Sequence, residues 1–139
     1  MSNGADAVDD DELLYRRVPE STDWYDPSTN TLKAEAFQPN RDRDTTGLSL
    51  VRAKHKSIQE AARGTPGKSY FVAIVRVGDL RQREIGVVSR PILPDGTYDP
   101  AHVELPDLRA ETRKESITLE RQRILANDLC IEVKGPYTT

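Results

Sequence analysis

The chemistry open to this chain rests on a short set of side chains: His55, His102, Ser49, Cys130 and several arginines. A neutral imidazole can take a proton from a hydroxyl or from water, so each histidine is a candidate base. His55 lies between Lys54 and Lys56, a setting that fits a basic surface loop. His102 follows Asp99-Pro100-Ala101 at the start of an alternating segment, which fits a partly buried ring bonded to a backbone carbonyl. Ser49 and Cys130 are the nucleophile candidates. Ser49 has no Gly-x-Ser-x-Gly elbow around it, and Cys130 sits in an apolar stretch with no local base, so both also fit structural roles. Brought into one cleft, Ser49, His55 and His102 with Arg16, Arg17 and Arg52 would form a pocket for a nucleotide or nucleic-acid substrate.

Other motifs lead nowhere chemically. Ala62-Arg63-Gly64-Thr65-Pro66-Gly67-Lys68-Ser69 matches a loose P-loop pattern. A P-loop follows a strand and opens a helix, whose N-terminus faces the phosphate. Here the segment follows a short helical stretch and enters the most apolar run, and Pro66 removes a donor, so a turn with an exposed lysine is the better reading. No HxH or HExxH spacing supports a metal, and no cofactor is expected. A single cysteine forms no intrachain disulfide and suits a reducing compartment. Arg41-Asp42-Arg43-Asp44 reads as charges pairing with each other on a solvated loop. Trp24, Tyr25 and Phe37 beside Arg41 and Arg43 offer a stacking surface for single-stranded nucleic acid.

The elements that must position these groups follow from pattern. Leu13–Val18 predicts a strand ended by Pro19, and Leu48–Val51 a second. Ser57-x-x-Glu60 is a capping box opening a short helix, with Gly64 placed for a left-handed C-terminus before Pro66. Tyr70–Val77 is the strongest strand, apolar enough to be covered on both faces. Residues 78–82 predict a helical turn, Ile85–Val88 a strand, Pro94–Thr97 a turn and His102–Leu105 a half-buried strand. Thr112-x-x-Glu115 predicts a capping box for a charged helix to Ala126, and Leu129–Val133 a last strand. The sum is an α+β domain over residues 12–139: a mixed or antiparallel sheet of five to six strands, one short helix and one longer C-terminal helix. Residues 20–46, with Pro27 and Pro39, predict an irregular loop pinned by Trp24 and Phe37.

Residues 1–11 are small, polar and acidic and read as a disordered tail. The formal net charge of −3 therefore divides into an acidic arm and a near-neutral body. That balance argues against a strongly basic nucleic-acid binder. The arm has no apolar core of a secretory signal, and no apolar run reaches the ~20 residues of a membrane helix. The acidic arm is expected to fold back on basic groups of the 41–68 region and the 109–123 helix and mask them from other anions.

Leu14-Tyr15-Arg16-Arg17-Val18-Pro19, Ala36-Phe37-Gln38-Pro39, Gly47-Leu48-Ser49-Leu50 and Asp99-Pro100-Ala101-His102-Val103 together resemble a loose group of small uncharacterised prokaryotic proteins over residues 13–105. The resemblance implies a cytoplasmic protein and transfers no activity and no catalytic residue. The leading expectation is a non-catalytic interaction or accessory protein with a protein partner, contacted through Arg16, Arg17, Trp24, Phe37 and Arg52. The runner-up is the small enzyme with the Arg/His/Ser pocket, followed by the single-strand binder.

Overall fold

The computed structural model describes residues 6–139. The fold is α+β. Six strands form one sheet in the order β6-β7-β4-β1-β5-β8, and every pairing in it is antiparallel. They are β1 (Leu13–Pro19), β4 (Leu48–Arg52), β5 (Ser69–Arg76), β6 (Val88–Ser89), β7 (His102–Leu105) and β8 (Glu132–Thr138). A second small sheet pairs β2 (Tyr25–Asp26) with β3 (Thr31–Leu32). It lies inside the segment expected to be irregular, where Tyr25 and Leu32 face each other and are both buried.

The sheet's two faces explain its sequence. Phe71, Ala73 and Val75 of β5 join Leu14, Leu48, Leu50, Val103 and Leu105 in the main core. The alternate residues Tyr70 and Val72 join Ala62 in a second cluster, which Tyr15, Ile58 and Tyr137 flank. Coverage on both faces accounts for the unbroken apolar run of β5. The main core is closed by α2 (Val77–Gln82), by the 3-10 turn Ala34–Phe37 and by α3 (Ser116–Ile124), which a π-helical turn carries on to Leu129. Gln122 of α3 donates from Nε2 to the Ala34 carbonyl at 3.1 Å, fixing that turn.

The capping box of α1 (Ile58–Ala61) forms as its spacing predicts: the Glu60 N–H donates to Ser57 Oγ and the Ser57 N–H to Glu60 Oε1. The left-handed residue nearby is Gly67 (φ +82°), not Gly64. Gly64 is needed for space, because a Cβ there would sit 2.5 Å from the Tyr70 ring. The second capping box does not form. Thr112 Oγ1 donates to the Arg109 carbonyl instead, and the helix starts at Ser116 after a separate 3-10 turn at Ala110–Thr112. The expected strand at 85–88 is reduced to Val88–Ser89, since Ile85 turns fully into the core. The last strand begins at Glu132, after the π-helical turn has used residues to Leu129.

The acidic N-terminal segment departs most from expectation. Residues 1–5 lie outside the described residues. From Asp6 on the chain is docked rather than disordered, with Val8 buried in the main core. The reason is Arg52, whose side chain has no solvent exposure. Its Nε and Nη2 donate to the two oxygens of Glu12 at 2.8 Å each, and Nη1 reaches Asp6 Oδ1 at 3.1 Å. The carbonyls of Asp6 and Ala7 take further donors. A buried guanidinium requires such partners, and the acids supply them.

Candidate functional site

β1 pairs with β5 along its whole length but with β4 only at Leu14↔Arg52 and Tyr15↔Val51. Beyond that point β1 and β4 part. Arg16 fills the parting: Nη1 donates to the Ser49 carbonyl at 3.0 Å, Nε to the Ala36 carbonyl at 3.0 Å, and Nη2 reaches the Gln38 carbonyl at 3.5 Å. The side chain thus satisfies a strand carbonyl that a continued ladder would have taken.

An open cavity of about 770 Å³ lies at this split. Its walls carry five arginines (Arg16, Arg17, Arg41, Arg43 and Arg113) and a single carboxylate, Asp44. None of the five forms an ion pair among the described residues, although Arg52, Arg76, Arg81, Arg83, Arg90, Arg109 and Arg123 all do. The aromatic walls are Tyr15, Trp24 and Tyr70. Arg17 stacks over Tyr70 with its guanidinium carbon 5.0 Å from the ring centre, and donates to the Arg63 carbonyl. Burial lowers the pKa of Arg16 below the usual guanidinium value; Asp44 opposes this and Arg17 adds to it.

Ser49 and His102 meet at the same cavity. Leu48 and Leu50 alternate into the core, which leaves Ser49 on the other face of β4, diagonal to His102 on β7. His102 Nε2 is 3.1 Å from Ser49 Oγ, and Nδ1 is 2.8 Å from the Arg90 carbonyl. A carbonyl only accepts, so Nδ1 carries a proton, and whenever the ring holds just one proton Nε2 offers its lone pair to the serine hydroxyl. Glu104 Oε2 stands 4.0 Å from Nε2. Its other oxygen accepts from Thr46 Oγ1 at 2.7 Å and faces Arg90 Nε at 3.4 Å. Asp44 Oδ1 is a second acceptor for Ser49 Oγ, at 3.3 Å.

Asp44 was expected to pair with its arginine neighbours. It is instead buried, with Oδ2 accepting from the Asn40 N–H at 2.6 Å, while the Asn40 side chain accepts from the N–H groups of Asp42 and Arg43. This local turn leaves Arg41 and Arg43 exposed at the cavity. Asp44, Arg113, Tyr15 and Tyr70 escaped the sequence reading as cavity residues.

The sequence candidates therefore separate. Arg16, Arg17, Trp24, Ser49 and His102 share the cavity. His55 does not line it and bonds through Nε2 to Asp6 Oδ1 at 3.1 Å, so the two histidines serve different clusters. Arg52 is engaged by Glu12 and Asp6, which takes it out of the contact surface. Phe37 is fully buried in the main core, so it cannot stack on a base. The P-loop-like segment spends its amides on the C-terminus: Gly64 N–H donates to Thr139 Oγ1 and Gly67 N–H to the Thr139 carbonyl.

Comparison with known protein families, curated proteins and solved structures finds no match. Among the described residues no helix is long and apolar enough to cross a membrane.

Proposed function

We propose that the protein binds a phosphate-bearing small molecule of the nucleotide class in the cavity between β1 and β4. One observation carries this reading: five arginines line a single cavity without an ion pair among the described residues, in a chain whose formal net charge is −3. Guanidinium groups left without carboxylates are the preferred partners of phosphate oxygens. The cavity volume falls within the range of small-molecule sites, and Trp24 and Tyr15 bring aromatic side chains to its wall. This puts the nucleotide-pocket reading ahead of the interaction-protein reading. Support for the latter is the exposed Ile92–Tyr98 bridge together with exposed Leu13, Val88, Ile117, Leu119 and Ile131.

Trp24 is the only tryptophan, so its fluorescence reports on the cavity directly. Titration of the full chain with inorganic phosphate, AMP and ATP at low salt is expected to change that signal, with the nucleotides binding more tightly than phosphate. Affinity should fall as salt rises, and less steeply in the double variant Arg41→Ala/Arg43→Ala. A Trp24 signal that none of the three ligands alters at low salt overturns the reading.

A further inference from the structure

We propose that Ser49 and His102 are a nucleophile–base pair that hydrolyses a phosphate monoester held in this cavity, an inference that rests on the cavity's reading as an anion site. Three features converge. The hydroxyl and the imidazole are within hydrogen-bond distance at 3.1 Å. The Arg90 carbonyl holds the ring in the one neutral tautomer that leaves Nε2 free to accept. Both side chains line the cavity that carries the unpaired arginines, so a bound phosphoryl group would sit beside the nucleophile.

The rest of the network suits the charge changes. When Nε2 takes the serine proton, the imidazolium faces Glu104, which Thr46 and Arg90 hold in place. Asp44 is an alternative acceptor for the hydroxyl, and keeps Ser49 Oγ oriented when the imidazole is already protonated. Arg16 donates to the backbone carbonyl of Ser49 and so fixes the strand segment that carries the nucleophile.

In the first step Ser49 Oγ bonds to phosphorus, its proton passes to His102 Nε2, and the bond from phosphorus to the ester oxygen breaks. The departing oxygen takes the proton from Nε2 and leaves as an alcohol. In the second step water attacks the phosphoserine and gives a proton to Nε2. The bond from phosphorus to Oγ breaks, the proton returns to Oγ, and inorganic phosphate leaves. Water and the monoester are the only reactants, and the protein ends as it began.

The test uses the full chain with p-nitrophenyl phosphate and AMP, following phosphate release and quenching in acid to detect phosphoserine by mass spectrometry. Expected are turnover, a phosphate adduct on Ser49, and a loss of about 10²–10⁴-fold in turnover in each of Ser49→Ala and His102→Ala. Both variants should keep the wild-type circular dichroism, so that the loss is one of chemistry and not of fold. A wild-type chain that binds phosphate but releases none from either ester overturns the catalytic pair and leaves the binding site standing. Turnover by Ser49→Ala at the wild-type rate, or an adduct elsewhere than Ser49, also overturns it. A Trp24 signal in the wild-type chain that inorganic phosphate, AMP and ATP all leave unaltered removes the binding site first.

Discussion

Arg16 and Arg52 lie on neighbouring strands, and both point their side chains to the core side of the sheet, yet they have opposite electrostatic settings. Arg52 is saturated by the chain's own carboxylates, and the hydrogen bonds it donates to Glu12 raise its pKa above the ordinary value. Arg16 meets only carbonyl oxygens, and burial lowers its pKa. One is a guanidinium whose anion is built into the fold. The other is a guanidinium prepared for an anion that arrives from outside. Burial alone therefore does not separate a structural arginine from a binding one; the identity of the acceptors does.

The contrast can be broken most forcefully at Arg52. Arg52→Ala leaves Glu12 buried without its partner and is expected to reduce stability by about 3–5 kcal/mol in urea unfolding. It should also open residues 6–12 to proteolysis while leaving any surviving folded protein able to bind AMP. Retention of full stability would show that the docked segment is not held by this pair.

The next effect is smaller and of another kind. Arg16→Met should weaken AMP binding by about 1.5–3 kcal/mol, roughly tenfold to more than a hundredfold, with a smaller loss of stability than Arg52→Ala. Arg16→Lys should recover only part of the affinity, because an ammonium keeps the charge without the planar fork. Equal stability losses at the two positions would erase the distinction.

The smallest effect is a pH dependence. Burial alone would raise the pKa of Glu12, but the hydrogen bonds from Arg52 and the Asp9 N–H, with the charges of Arg52 and Lys54, outweigh it and hold the folded value below 4.5. The unfolded chain then takes up this proton first as the pH falls. The stabilisation is complete above the ordinary value of 4.5 and is lost as the pH drops through the lower folded value. The stability margin of wild type over Glu12→Gln should shrink across that window. A margin that stays constant from neutral pH into the acid range would mean that the charge of Glu12 contributes nothing.

The legibility of these features in the sequence follows their range. The capping box at Ser57–Glu60 and the strand at Ser69–Arg76 are local patterns, and both were readable. Ser49, His55 and His102 were readable as candidates for one cleft, but not which histidine meets the serine, because that depends on the register Leu50↔Val103 between strands distant in sequence. The link between Glu12 and Arg52 was hidden for a related reason. An acidic run looks solvated until a buried guanidinium elsewhere in the chain demands its carboxylates. The Arg41–Asp44 run misled because alternation of charge suggests mutual pairing, whereas the Asn40 turn directs Asp44 inward and leaves the arginines outside.

The strand order carries a kinetic consequence. β1, the earliest strand among the described residues, lies in the interior of the sheet between β4 and β5, and its full-length partner comprises residues 69–76. An emerging chain cannot complete that ladder until the middle of the protein has been synthesised, so the earliest β segment waits unpaired while later ones appear. Closure of long loops before any reward from strand contacts favours slow folding. The acids just ahead of β1 would then act as solubilising flankers of a waiting strand, before they become the counter-ions of Arg52.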